Sequence, residues 1–149
     1  MFKSTAENFF SKTEKEKLLN AITLAEKNTS GEVRVHIDSL CKEEVLDRAA
    51  FIFNKLGMKN TKLRNGVLFY LAVKSKKFAI IGDSGINSVV PENFWNDVKE
   101  NIAVHFSQGE FANGLCVGIE MAGEHLKKYF PHQEDDINEL PDDISFGKK

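Results

Sequence analysis

RNGVLFYLAVKSKKFAIIGDSG, residues Arg64–Gly85, holds the longest apolar run, the clearest turn and the densest positive charge of the chain. Val67–Val73 is seven residues without a charge. That is too short to cross a bilayer and suits a strand buried on both faces. Lys74-Ser75-Lys76-Lys77 interrupts the run, and Phe78–Ile81 resumes it. Two apolar runs around a short polar turn predict a β-hairpin, even without Asn-Gly or Asp-Gly at its tip.

Working outward, Ser11-Lys12-Thr13-Glu14 fits a capping box, and Thr13 with Glu16 fits another. Either opens a helix that carries Leu18, Ile22 and Ala25 on one face and ends at Thr29-Ser30-Gly31. Glu32–Asp38 alternates: Val33, Val35 and Ile37 on one side, Glu32, Arg34, His36 and Asp38 on the other. That pattern predicts a half-buried strand near a sheet edge. Lys42–Leu56 reads as a second helix stopped by Gly57. Because a helix crosses over between them, this first strand should run parallel to the first hairpin strand. Beyond the hairpin, Ile86–Val90 suggests a short strand. Pro91 suits the first turn of a third helix, with Phe94, Val98, Ile102 and Phe106 facing inward. After Gln108-Gly109 a fourth helix carries Phe111, Leu115, Ile119, Ala122 and Leu126, and its Gly114 and Gly118 imply close approach to a neighbour. The expected fold class is α/β: a small mixed β-sheet of three or four strands with a central hairpin, sandwiched by about four helices.

The chain has 149 residues and a net charge of −2, enough for one domain with a real core. Met1–Leu18 is polar, with Phe2, Phe9 and Phe10 scattered and no apolar block of a signal peptide. Cys41 and Cys116 have no metal-like spacing and are expected reduced in a cytoplasmic protein. From His132 onward six residues are acidic and two basic, whereas residues 59–82 hold six Lys or Arg and no acid. Lysines at a hairpin turn commonly keep an exposed edge from pairing with other chains, and they also steer anions. Phe69, Tyr70 and Phe78 should face the sheet layers, so nucleic-acid binding through exposed aromatics is not expected.

Four short pieces occur in order: Thr29-Ser30-Gly31-Glu32-Val33, Asn65-Gly66-Val67-Leu68, Gly82-Asp83-Ser84-Gly85, and Phe106-x-x-Gly109-x-Phe111-x-x-Gly114-Leu115. On these the chain resembles the TPM domain family over roughly Ser11–Tyr129. The resemblance implies an α/β sandwich. The family includes a thylakoid-lumen protein linked to photosystem II repair and credited with acid phosphatase activity and divalent-cation binding, and many bacterial members are exported and membrane-anchored. This sequence looks like the shorter members without signal or anchor. Exported members commonly carry an acid just before Asn-Gly and another near the domain start. Here Arg64 precedes Asn65, and the start reads Ala6-Glu7-Asn8. The organisation expected is a lead-in over 1–10, a TPM-like domain over 11–130, and an acidic, disordered tail over 131–149.

Parallel pairing of the first strand with the hairpin brings Glu32, Arg64, Asn65, Asp83 and Ser84 to one end of the sheet. These five are the candidate ligand-binding residues. Arg64 and Asp83 face each other across the hairpin, and a guanidinium there stands where a cation would otherwise sit. Calcium needs several oxygen ligands, usually more than one charged, so no metal or other cofactor is expected, with calcium or magnesium as the alternative. His36 and Asp38, two apart on one strand face, have the spacing of a general base and its orienter, or of an ordinary polar face. No catalytic residue is assigned. The reading is of a non-enzymatic binding or interaction module, monomeric, whose partner is a protein or a small anionic ligand and neither nucleic acid nor membrane. The alternative is a phosphatase-type hydrolase of phosphate esters.

Overall fold

Ser11 separates two helices, α1 (Thr5–Phe9) and α2 (Lys12–Asn28). Its hydroxyl accepts from the Glu14 amide and the Glu14 carboxylate accepts from the Ser11 amide, so the first of the two capping boxes is the one formed. This computed structural model describes residues 5–132 and 144–147. Ala6 and Phe10 of the lead-in are buried against the core.

The sheet follows the parallel expectation. β1 (Glu32–Asp38) leads through α3 (Val45–Lys55) into β2 (Gly66–Ala72), and the two strands pair in parallel from Glu32 opposite Gly66 to Asp38 opposite Ala72. β3 (Lys77–Gly82) returns antiparallel as the second arm of the hairpin. Then come a short helix α4 (Ser84–Asn87), α5 (Asn96–Ser107) and α6 (Phe111–Lys127), and finally β4 (Ile144–Phe146), parallel to β1. The sheet order is β3-β2-β1-β4. One face of it carries Val33, Val35, Ile37, Phe69 and Leu71 against α2, α5 and α6. The other face carries Leu68, Tyr70 and Ala72 against Ala49, Ile52 and Phe53 of α3. No helix among the described residues is long and apolar enough to cross a membrane.

Four expectations need correction. β1 lies next to the edge strand, as expected, but it is not half-buried. All seven of its residues are buried: β4 pairs along its outer side, and on its polar face Asp38 is bonded to Arg48 of α3 and to Tyr70 of β2. Ile86–Val90 is not a strand: the Asp83 carboxylate accepts from the Ser84 amide and caps α4 instead. The tail expected to be disordered over 131–149 is ordered at its end, where Ile144 and Phe146 supply the apolar alternation of a strand and β1 supplies the edge. Residues 133–143 lie outside the described residues. The third helix also starts later, at Asn96, with Pro91 in the turn before it.

Candidate functional site

The five candidate residues meet at the N-terminal end of β1 and β2. Asp83 is buried, and Arg64 grips its carboxylate with Nε at 2.8 Å from Oδ2 and Nη2 at 2.9 Å from Oδ1. Oδ1 also accepts from the Ser84 amide at 2.7 Å. The hydrogen bonds that Arg64 donates to Asp83 hold its guanidinium pKa above the ordinary value. Arg64 itself has φ 53°, the left-handed region disfavoured for a residue with a Cβ. It is held there because its carbonyl accepts from the Gly85 amide at 2.9 Å, and a Cβ on Gly85 would overlap the Leu63 and Arg64 carbonyls. Asn65 is buried, its carbonyl accepting from the Glu32 amide and its side-chain amide donating to Ser30 Oγ at 3.4 Å. Glu32 is buried beside it and Ser84 is exposed. This end is a clamp between loops, with its central carboxylate already occupied.

A cleft of about 690 Å³ opens at the opposite end, past Asp38. Its walls come from the segment after β1, from Arg48, Ile52 and Lys55 of α3, and from Ser145 and Phe146 of β4. The hairpin turn holds that segment in place: the Lys74 amide donates to the Ser39 carbonyl, Ser75 Oγ accepts from the Cys41 amide, and Lys77 Nζ donates to the Cys41 carbonyl. The turn lysines therefore include one that organises the cleft.

At the floor lies a hydrogen-bonded network. Asp38 Oδ1 is 2.9 Å from His36 Nε2, and Oδ2 accepts from Arg48 Nε at 2.9 Å and from the Tyr70 hydroxyl at 2.6 Å. His36 Nδ1 is 2.9 Å from Ser145 Oγ, and the imidazole stacks on Tyr70 with an interplanar angle of 6°. Burial alone would raise the Asp38 pKa, but hydrogen bonds from His36, Arg48 and Tyr70 outweigh it and hold the carboxyl far below the usual range. Burial first, then the bond to Asp38, pushes the Tyr70 phenol far up, so it stays a donor. Asp38 is thus an acceptor only, and a neutral His36 must carry its proton on Nε2. Nδ1 then presents a lone pair to the Ser145 hydroxyl. Ser39, also on the cleft wall, has a buried hydroxyl with no hydrogen-bond partner among the described residues.

The sequence therefore placed the His36–Asp38 pair by spacing and missed three of its partners. Tyr70 was within reach, since parallel pairing sets it opposite His36. Arg48 and Ser145 arrive from a helix and a terminal strand whose docking leaves no local signal. Among the described residues, no three His, Cys, Asp or Glu side chains gather as a metal site would.

Comparison with family models matches the TPM domain over residues 4–125. Among solved structures, the chain is similar to the BA42 protein from the psychrophilic bacterium Bizionia argentinensis, at 51% identity over 95% of this chain and 97% of that one, TM-score 0.90. The N-terminal domain of a P. gingivalis protein aligns at 19% identity and TM-score 0.68, over 85% of this chain and 83% of that one. The N-terminal domain of cg2496 from Corynebacterium glutamicum aligns at 14% identity and TM-score 0.62, over 77% and 72%. These last two show likeness of fold alone. Comparison with curated proteins gave no match.

Proposed function

Since the chain belongs to the TPM domain family, we propose that it serves as a binding module that holds a small organic anion in the cleft between β1, α3 and β4, without a bound metal. The carrying observation is the composition of that cleft. Leu40, Ile52, Leu56 and Phe146 give it an apolar body, and Lys42 and Lys55 give it positive charge. Asp38 is neutralised by Arg48 within the network, which leaves Glu43 as the remaining acid on the wall. Its volume falls in the range of small-molecule sites, roughly 300–1,000 Å³. Its place beyond the carboxyl end of parallel strands is where α/β sheets commonly bind ligands. At the other end, Arg64 already pairs with the Asp83 carboxylate, which supports metal-independence. A cytoplasmic setting belongs to the same reading, supported by two free thiols, Cys41 and Cys116.

Phenyl phosphate, followed by calcium and magnesium, tests this in one titration watched through backbone amide shifts. Expected are saturable shifts at Leu40, Lys42, Ile52 and Lys55, no change at Asp83, and no response to either cation. Cation-driven shifts centred on Asp83, or cation-dependent release of phenol that falls on Asp83→Asn, would replace this reading with the phosphate-ester hydrolase.

A further inference from the structure

The same cleft contains an arrangement that anion binding alone does not require. Ser145 Oγ, His36 Nδ1, His36 Nε2 and Asp38 Oδ1 form a chain with 2.9 Å at each of its two hydrogen bonds. Docking β4 would need only the contact between Ser145 and the ring. Here the ring is oriented by a buried carboxylate, and that carboxylate is itself fixed by Arg48 and Tyr70. Geometry and access agree: with the ring neutral and its proton on Nε2 toward Asp38, Nδ1 is free to accept from the Ser145 hydroxyl, and Ser145 is half-buried on the cleft wall. The well-known serine hydrolases use the two ring nitrogens the other way round, but the proton path needs only one nitrogen toward the acid and the other toward the hydroxyl.

We infer that Ser145 is an activated nucleophile, with His36 as its base and Asp38 as a positioning residue, and that the cleft cleaves small carboxylic esters bearing an anionic substituent. This rests on the reading of the cleft as the binding site. In the first step Ser145 Oγ bonds to the ester carbonyl carbon and its proton passes to His36 Nδ1. The imidazolium so formed stays on Asp38 through Nε2–H. The tetrahedral adduct then expels the alkoxide, which takes the proton from Nδ1 and leaves as alcohol, with the acyl group on Ser145. Water repeats the sequence, His36 taking its proton and returning it to Ser145, and the acid departs. The net change is ester plus water to acid plus alcohol. Lys42 and Lys55 meet the anionic substituent and supply positive charge on the cleft wall for the developing oxyanion.

Diisopropyl fluorophosphate is the probe, applied to the full-length folded chain, with intact mass and peptide mapping as readout. A single adduct on Ser145 is expected, absent in Ser145→Ala and formed at least about tenfold more slowly in His36→Gln, which keeps a polar side chain but no base. Phenyl phosphate should slow labelling of the unaltered protein competitively, a readout independent of any variant. The inference is overturned by adducts scattered over other residues, by no adduct on Ser145 in a chain whose amide spectrum is folded, or by labelling that phenyl phosphate does not slow. If phenyl phosphate still shifts the cleft amides while Ser145 stays unlabelled, the nucleophile alone is wrong and the binding module stands. If the cleft amides do not shift either, the binding reading falls with it.

Discussion

Asp38 shows how much one carboxylate can hold when its environment is complete. Three donors converge on it from β1, β2 and α3, and its side chain is 5% exposed. Replacing it with Ala would leave Arg48, Tyr70 and His36 facing an empty, half-dry space. The cost of breaking such a buried pair is on the order of 3 kcal/mol. The pH dependence follows from the direction of its shift. Its folded-state pKa lies below the unfolded value of about 3.9, so the stability it contributes is complete above that value and drains away as pH falls further. Urea unfolding of the parent chain and Asp38→Asn should therefore differ most near pH 7 and converge under acid. Equal gaps at pH 7 and pH 3 would show that the carboxylate is not held low. Cys116 carries a second residue-scale expectation. Burial, with Glu120 beside it, pushes its thiol up to about 11. Iodoacetamide at pH 8 should then alkylate it at least about tenfold more slowly than a free thiol of pKa about 8.5. Rapid, complete alkylation of Cys116 in the folded chain would contradict that environment.

Among the elements, α6 depends on small residues where it meets its neighbours. A Cβ on Gly118 would stand 2.6 Å from Ile102 Cδ1, a side-chain terminus that can shift. A Cβ on Gly123 would stand 2.8 Å from Ala25 Cα, which is backbone of α2 and cannot turn aside. Alanine gains about 1 kcal/mol of helix propensity at either site. Overpacking typically costs about 1–3 kcal/mol. Gly123→Ala should accordingly destabilise, and more than Gly118→Ala, in thermal unfolding; the reverse order would mean the two helices slide apart freely. The importance of Gly118 is legible in the sequence as a small residue on an apolar helix face, and Gly123 escapes notice because its partner lies almost a hundred residues earlier. The same divide runs through the rest of the fold. Capping at Ser11 and the hairpin are local patterns, the parallel pairing of β1 with β2 follows from the crossover helix, and all three appear in the structure. Ile86–Val90 reads as a strand from its apolar residues, and the Asp83 cap begins the helix α4 there instead. In the site, His36 and Asp38 share a face by spacing alone. Ser145 joins them only through long-range strand pairing, which composition of an acidic tail does not reveal.

At the scale of the molecule, the question is what the final strand contributes. Without β4, the outer edge of β1 would present unpaired backbone next to the most polar part of the core. Ile144 is 7% exposed there, Ser145 meets His36, and the Gly147 amide donates to the Ile37 carbonyl at 2.8 Å. Burying one isoleucine is worth roughly 1.5–3 kcal/mol. With the hydrogen bonds added, removing residues 144–149 should cost on the order of 3 kcal/mol, a fall in Tm of roughly 10 °C for a chain this size. The truncated chain should also associate as its concentration rises, because an uncovered sheet edge recruits strands. Gly147→Ala tests the same docking without truncation, since its Cβ would run into the Asp38 carboxylate and push the strand outward. Its loss should be intermediate, and phenyl phosphate should shift the cleft amides of both variants less than those of the parent, because Ser145, Phe146 and Gly147 are one wall of the cleft. A truncated chain that melts with the parent and keeps its ligand shifts would place the terminal strand outside both the core and the site. The layered sheet would then have to be stable with β1 as its edge, despite the buried Asp38, His36 and Arg34 along it.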